Sequence, residues 1–416
     1  MSADGQIVAS GRRGRRFHIL VIAGTVGLVV VPVVVDEFPR ETARWFAAAA
    51  TERALERDWA GAIQRLDRAL AWDPGNAELL LVRAAQKLDA RQWESGLADC
   101  DAARRIDPGI RGVGAVRSQL LQHLGQHRAA IAEWKQMLRE AANEPETRRA
   151  EVLNGLAYTQ AVGGLELDEA LEAVNESLKS LGTDAIELDP GGYLLFARGY
   201  SALQNDDLGL ALSSLDQAVE KAEDAYRRHA RRWKALASER RDGARFEERV
   251  QALKPHLAGV LQLRSEVLQK LDRLAEAERD RNRVEELASN GNISMNVPLS
   301  LSRAVQRVEN VASYLDTRGY IHVRLADPAA ALEDLEHAVT LIRWVRQAFP
   351  WHLDIMRHEI LDIRPLLLAQ ERHYLTEAVI RYHRMLAYEA NGKKELAARD
   401  REAILDLGFE PGPHLF

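Results

Sequence analysis

Residues 58–76 read DWAGAIQRLDRALAWDPGN, and residues 92–109 repeat the same pattern as QWESGLADCDAARRIDPG. In both stretches a small residue comes four positions before a larger one, seven before a second small one and twelve before a proline. The two sets are Ala62, Leu66, Ala69 and Pro74, then Gly96, Cys100, Ala103 and Pro108. A third copy, without the proline, has Ala130, Trp134 and Met137. The three copies begin 34 residues apart.

Later copies keep the pattern but lose the even spacing. They centre on Ala170, Ala211 and Ala331, with weaker copies at Ala277 and Ala397. The intervals after Ala130 are 40, 41, 66 and 54 residues, which predicts loops or helix extensions between repeats. Two later copies match closely, because both carry Arg-Gly-Tyr on the preceding helix, at 198–200 and at 318–320.

A 34-residue period made of two helices resembles the tetratricopeptide repeat (TPR). The resemblance covers residues 43–222 and 301–345. It implies an all-α solenoid, in which small residues let neighbouring helices approach and helix pairs stack into a right-handed superhelix with a concave side. Proteins of this family bind other proteins, so the resemblance implies a protein or peptide partner and no catalysis.

Composition agrees with a helical protein. Only 6% of the residues are aromatic, and few runs alternate between apolar and polar residues, so we expect almost no strand. The single cysteine, Cys100, excludes an intrachain disulfide and is expected to be a buried packing residue. Residues 1–40 carry a net charge of +2 and the whole chain −6, which leaves −8 for the remainder. An acidic domain of this kind is a poor nucleic-acid binder.

An uncharged apolar run, ILVIAGTVGLVVVPVVV, occupies residues 19–35 behind four arginines. We expect a transmembrane helix at 17–35, slightly shorter than a typical bilayer core. Positive residues favour the cytoplasmic side, which predicts a single-pass protein with residues 1–16 in the cytoplasm and the repeats on the extracytoplasmic side, periplasmic in a bacterium. A cleaved secretory signal and an anchor in the reversed orientation are the alternatives.

Beyond this anchor the chain is predicted to divide into four parts. Residues 41–144 hold regular repeats, 145–222 repeats with longer loops, and 223–300 long charged helices with a degenerate repeat. Residues 301–416 hold one further repeat and an irregular helical cap. The Asn- and Ser-rich stretch 289–299 is the clearest break.

The family resemblance implies that partners lie in a concave groove, lined by the first helix of each repeat. The corresponding positions are Leu81, Ala85 and Leu88; Gln119, Gln122 and His123; Val152, Leu156 and Gln160; Tyr193, Phe196, Tyr200 and Leu203; and Asp316, Tyr320, Val323 and Arg324. The cluster from Tyr193 to Leu203, with its three aromatic rings, is predicted to be an interaction hot spot, with packing between repeats as the alternative. Lys and Asn of the clamp by which some relatives bind chaperone C-termini are absent at these positions.

No catalytic motif is present, and no cofactor or metal is predicted. The competing hypothesis is a hydrolase or metal-dependent enzyme, with His352, His358, His373 and His383 beside Glu359 and Glu377. His123 and His127 are four residues apart, but Gly125 lies between them at an expected turn, so they are not expected to share a metal. A third hypothesis is a structural protein that self-associates through exposed repeat ends.

Overall fold

The computed structural model describes residues 37–181, 192–238, 244–288, 297–359, 364–413 and 415, and this part of the chain contains helices and no strand. The first eight helices are α1 (37–55), α2 (Trp59–Trp72), α3 (Ala77–Asp89), α4 (Trp93–Ile106), α5 (Val113–His123), α6 (His127–Glu140), α7 (Glu146–Gly163) and α8 (Leu167–Leu181). The rest are α9 (Tyr193–Gln204), α10 (Leu208–Ser238), α11 (Ala244–Lys270), α12 (Leu274–Ala288), α13 (Val297–Arg324), α14 (Pro328–Glu359), α15 (Arg364–Ala390) and α16 (Lys394–Asp406).

The helices form antiparallel pairs, each with a first (A) and a second (B) helix joined by the same tight turn. In seven pairs the turn contains a residue with a left-handed backbone conformation. These residues are Arg57 in α1/α2, Arg91 in α3/α4, Gly164 in α7/α8, Asp206 in α9/α10, Asp272 in α11/α12, Ala326 in α13/α14 and Gly392 in α15/α16. In every case the next residue donates its backbone N–H to the carbonyl five positions earlier, at 2.8–2.9 Å. This bond satisfies a carbonyl at the end of the A helix and reverses the chain.

The small residues of the repeat pattern lie where two helices touch. Ala62 and Ala130 are fully buried. A β-carbon on Gly199 would lie 2.6 Å from Cγ of Leu215, and one on Gly319 would lie 2.6 Å from Cγ of Leu335. The two contacts are equivalent, so only glycine allows the A and B helices of these pairs to approach so closely. The predicted all-α fold of TPR-type helix-pair repeats is thereby confirmed, and the right-handed superhelix stays a prediction.

The described helices fall into two compact units, residues 1–124 and 125–416, which divide between α5 and α6. In the first unit α3 packs on α2, and α5 packs on both α3 and α4, in chain order. The boundaries predicted at residues 144, 222 and 300 stay predictions. The stretch 289–296 lies outside the described residues.

In the second unit the pairs do not stack in chain order. The A helix α13 packs against both α7 and α8, and α15 packs against both α13 and α14. Arg318 on α13 donates a 3.0 Å hydrogen bond to Asn175 on α8, 143 residues away. The intervening pairs α9/α10 and α11/α12 pack on each other, and α9 joins them to α13 and α14. The repeat that follows α7/α8 in space is therefore the third pair after it in the sequence.

The predicted membrane localisation is wrong. None of the described helices combines the length with the low charge that crossing a bilayer requires. Even the 31-residue α10 carries charged side chains at intervals along its length. A single-pass protein with its repeats on the extracytoplasmic side is therefore not supported, and the segment 17–35 itself lies outside the described residues.

Candidate interaction surface

Within the first unit, the predicted groove positions lie on α3 and α5. Leu81 and Leu88 are half-buried and pack against a small core of Ala84, Cys100, Val113 and Leu120. Gln119 is exposed, whereas Gln122 is buried. Because α5 packs on α3, the accessible edges of Leu81 and Leu88 and the side chain of Gln119 belong to adjacent A helices.

His123 at the end of α5 stacks on Trp93, with the ring centroids 5.2 Å apart and the planes 6° from parallel. Burial lowers the pKa of His123, and the nearby positive charge of Arg91 lowers it further. The neutral imidazole is therefore the form that fits this site. Cys100 is fully buried, and burial raises the pKa of its thiol to about 12, so it is a packing residue in this unit.

On α9, the predicted aromatic hot spot contacts the next pair. Tyr193 stacks on His256 of α11 with the centroids 3.8 Å apart, and Phe196 meets the same imidazole edge-to-face at 5.7 Å. Phe196 and Leu203 are buried, while Tyr193 and Tyr200 are half-buried. Phe196 and Leu203 therefore belong to the core, and only Tyr193 and Tyr200 of this cluster keep some exposed area.

On α13, Tyr320 is buried rather than presented to a groove. Its ring stacks on His383 of α15 at 4.1 Å and lies 6.2 Å from the ring of Tyr158 on α7. Nδ1 of His383 is 2.8 Å from Oδ1 of Asp316, and both side chains are buried. Burial raises the pKa of Tyr158 well above its usual range, with the charge of Asp316 adding to the effect. This cluster joins three A helices.

The other predicted positions of the second unit divide in the same way. Val152, Leu156 and Gln160 on α7 are buried, in a helix that packs against α6, α8 and α13. Val323 is half-buried and Arg324 is exposed. Arg324 reaches the turn after α7, where a β-carbon on Gly164 would lie 2.5 Å from its Nη2 atom. The sequence could not show this contact between Arg324 and Gly164, because the two residues belong to helix pairs that are distant in the chain.

The arrangement that sequence reasoning missed is a ladder of arginines. Four A helices carry an arginine whose Nε and Nη2 atoms donate to both carboxylate oxygens of an aspartate sixteen residues later, on the B helix, at 2.6–2.8 Å. The pairs are Arg83–Asp99, Arg264–Asp280, Arg318–Asp334 and Arg384–Asp400. The four aspartates are buried. Paired geometry of this kind is the strong form of an ion pair.

Three of these arginines also reach the B helix against which their own A helix stacks. Nη1 of Arg83 donates to Asp67, Nη1 of Arg264 to Asp216, and Nη1 of Arg318 to Asn175. Each acceptor comes five residues after the small residue that opens its B helix pattern, at Ala62, Ala211 and Ala170. One guanidinium therefore fixes three helices. A spacing of sixteen residues from Asp67 to Arg83 and again to Asp99 was the signal in the sequence.

Four pairs lack this Arg–Asp pair. At the two positions α1/α2 has Ala49 and Arg65, and α5/α6 has Arg117 and Glu133. In α7/α8 the two positions are Ala157 and Ala173, so both charges are replaced together. In α9/α10 the arginine remains as Arg198, but the position sixteen residues later is Ser214. Arg198 lies over the ring of Trp344 on α14, with Cζ 6.0 Å from the ring centroid. Its Nε atom and Oγ of Ser214 are both buried and have no hydrogen-bond partner among the described residues.

Metal-ligating side chains do not converge in the part of the chain that the structure describes, where no group of three or more could hold an ion. Of the histidines considered for a metal site, His373 lies 3.4 Å from Glu309 and His383 pairs with Asp316. Glu377 instead receives hydrogen bonds from Arg381. The side chains of His352, His358 and Glu359 lie outside the described residues.

No protein-family model matches this chain, and no curated protein matches its sequence. Three solved structures of TPR-type proteins resemble it in fold. Yeast Tom70 is 14% identical, with a TM-score of 0.26 over 88% of this chain and 76% of its own. Naa15/Naa10 bound to HypK-THB is 13% identical, with a TM-score of 0.26 over 95% of this chain and 74% of its own. A tetratricopeptide repeat protein from Parabacteroides merdae is 14% identical, with a TM-score of 0.23 over 65% of this chain and 98% of its own. At such TM-scores the chains do not superpose as wholes, so these likenesses support no statement about function.

Proposed function

We propose that this chain is a non-catalytic scaffold that binds an extended segment of a protein partner across α3 and α5 of its first unit. The observation that carries the proposal is the exposure of the predicted groove positions. Leu81 and Leu88 are two turns apart on one face of α3 and are only partly covered, and Gln119 on α5 is exposed. Most of the equivalent positions on α7, α9 and α13 are covered by other helices.

The chemistry of this surface suits a peptide. Two half-buried leucines leave apolar area that a partner side chain can cover, which contributes roughly 25 cal/mol per Å². A glutamine side chain both donates and accepts hydrogen bonds, so Gln119 can pair with the backbone of an extended segment. A few such contacts carry most of the binding energy in a typical interface.

A peptide library displayed on phage and selected against the full chain tests this proposal. Peptides enriched on the wild type are then measured by fluorescence polarisation against Leu81→Gln. We expect a loss of affinity of about tenfold, because removal of a central apolar contact costs on the order of 1–2 kcal/mol.

Ile106→Gln is the matched control. Ile106 is 47% exposed at the end of the B helix α4, so the same polar substitution is made away from the proposed surface. Circular dichroism should show unchanged helix content in both variants. Equal affinity of Leu81→Gln and Ile106→Gln for the selected peptides would refute binding across α3 and α5.

A second candidate function, self-association, is favoured by exposed rings on the first two helices. Phe38, Trp45 and Trp72 are 57%, 62% and 45% exposed, and the rings of Phe38 and Trp72 meet edge-to-face at 5.9 Å. Light scattering of the wild type and of the Trp45→Gln, Trp72→Gln double variant tests it. A wild-type dimer that becomes monomeric in the variant supports self-association, and a monomeric wild type at high concentration rejects it.

A further inference from the structure

Arg198 keeps the charge of the arginine ladder without its acid. In the four complete Arg–Asp pairs, the aspartate sixteen residues later accepts hydrogen bonds from both Nε and Nη2 of the arginine, as Asp334 does from Arg318. At Arg198 that position is Ser214, whose side chain is buried, and no described carboxylate pairs with the guanidinium. The guanidinium lies over the ring of Trp344.

The α7/α8 pair lacks both members of the Arg–Asp pair. There both members are alanine, Ala157 and Ala173, and both are buried. Replacing both partners of an ion pair by apolar residues is close to neutral, whereas removing one leaves a half-buried charge uncompensated. Arg198 beside Ser214 therefore leaves a half-buried charge without a carboxylate partner among the described residues.

The closest comparison is the α13/α14 pair. Both pairs carry Arg-Gly-Tyr on the A helix, and the β-carbon positions of Gly199 and Gly319 meet Leu215 and Leu335 at the same 2.6 Å. Arg318 is completed by Asp334 and Arg198 is not. The two backbones therefore place their arginines alike, and the difference lies in one acid.

We propose that Arg198 binds a carboxylate of a protein partner through the accessible part of its half-buried guanidinium. A half-buried guanidinium without a carboxylate partner among the described residues presents planar N–H donors that match a carboxylate. The contact with Trp344 holds the guanidinium plane in position before the ligand arrives. This inference rests on the proposed scaffold function, and it names the chemistry that the partner must supply at α9.

The test follows the Nε–Hε resonance of Arg198 by NMR, assigned by its loss in Arg198→Lys. The full chain is titrated with sodium acetate and, in parallel, with sodium chloride at equal ionic strength. We expect a saturable shift with acetate and none with chloride. Absence of an acetate-specific shift overturns the proposal. No partner is needed, so this failure is distinct from a failure of peptide binding at α3 and α5.

Two small compounds then identify the carboxylate. Acetyl-glutamic acid amide offers only a side-chain carboxylate, and acetyl-alanine offers only a C-terminal one. A shift with either compound supports the proposal and states which group the site prefers.

Two exchange variants control for the position. Ser214→Asp supplies the missing acid from within, so it should abolish the acetate shift and raise the melting midpoint by about 2 °C. Asp334→Ser removes the acid beside Arg318 and should give that arginine an acetate-dependent shift of its own. If Ser214→Asp leaves the Arg198 shift intact, the site is not where the ladder places it. Should Asp334→Ser fail to fold, the wild type and Ser214→Asp still decide the outcome.

Discussion

Arg83 donates two hydrogen bonds of 2.7 Å to the carboxylate of Asp99, from the A helix α3 to the B helix α4. Arg318 and Asp334 repeat this relationship in α13/α14 at 2.7 and 2.6 Å. The recurrence at a fixed spacing means that these ion pairs position one helix against the next.

The first prediction concerns the complete ion pair of Arg318 and Asp334. Asp334→Ala should lower the free energy of unfolding by about 1–3 kcal/mol, because Arg318 is left half-buried without a carboxylate partner. The double variant Arg318→Met, Asp334→Ala should lose less than Asp334→Ala alone, as the Ala157 and Ala173 positions already suggest. Urea unfolding measures both, and a double variant that loses as much as or more than Asp334→Ala would contradict the pairing.

The second prediction concerns the turns. Ala326 has φ of +60°, a conformation that costs an L-residue about 1 kcal/mol, so Ala326→Gly should stabilise the protein by roughly 0.5–1 kcal/mol. Gly392 is the matched control, with φ of +70° in the equivalent turn and open space around an added β-carbon. Gly392→Ala should therefore destabilise by a similar amount. Changes of the same sign in the two variants would argue against a shared turn.

The third prediction separates core from surface for two tyrosines at predicted groove positions. Tyr320 is 7% exposed and stacked on His383, so Tyr320→Ala should cost about 3 kcal/mol of unfolding free energy. Tyr200 is half-buried at the equivalent position of α9, and Tyr200→Ala should cost less. Thermal unfolding followed by circular dichroism measures the difference. If Tyr320→Ala is the milder change, the ring is not part of the core.

The fourth prediction is a pH dependence at His123. Burial lowers its folded pKa below the unfolded value of about 6.5, so folding favours the neutral ring. The resulting stabilisation is present above pH about 6.5 and is lost as the pH falls through the folded pKa. His123→Phe keeps an aromatic ring against Trp93 and removes the titration. Its unfolding free energy should change less between pH 7.5 and 5.5 than that of the wild type, and NMR titration of His123 should show the lowered pKa directly.

Local features were largely visible in the sequence. The small residues at Ala62, Gly96 and Ala130 predicted the helix contacts, because close approach of two helices excludes larger side chains. The turns were less visible, since Arg91 and Ala326 occupy left-handed positions where glycine would have marked them. Asp67, Arg83 and Asp99 have regular spacing, yet charged residues on helices usually indicate solvent-exposed faces, so their pairing was not predicted.

The order of stacking could not be predicted. Each A helix carries a similar pattern whichever B helix it packs against, so nothing in α13 distinguishes α8 from α12 as its neighbour. The repeat pattern places Tyr320 and Leu156 in the groove, whereas both are buried, and Tyr320 stacks on His383 of α15. The membrane prediction rested on residues 17–35 alone, and the described helices give it no support.

Stacking of α13 on α8 is the central structural claim, and a double-mutant cycle on Asn175 and Arg318 tests it most directly. Their 3.0 Å hydrogen bond occupies the place that the Asp67–Arg83 ion pair has in the first unit. Asn175→Asp should therefore raise the free energy of unfolding by about 0.5–1 kcal/mol in the wild-type background. In the Arg318→Met background the gain should disappear. The same effect of Asn175→Asp in both backgrounds would mean that α13 does not pack on α8.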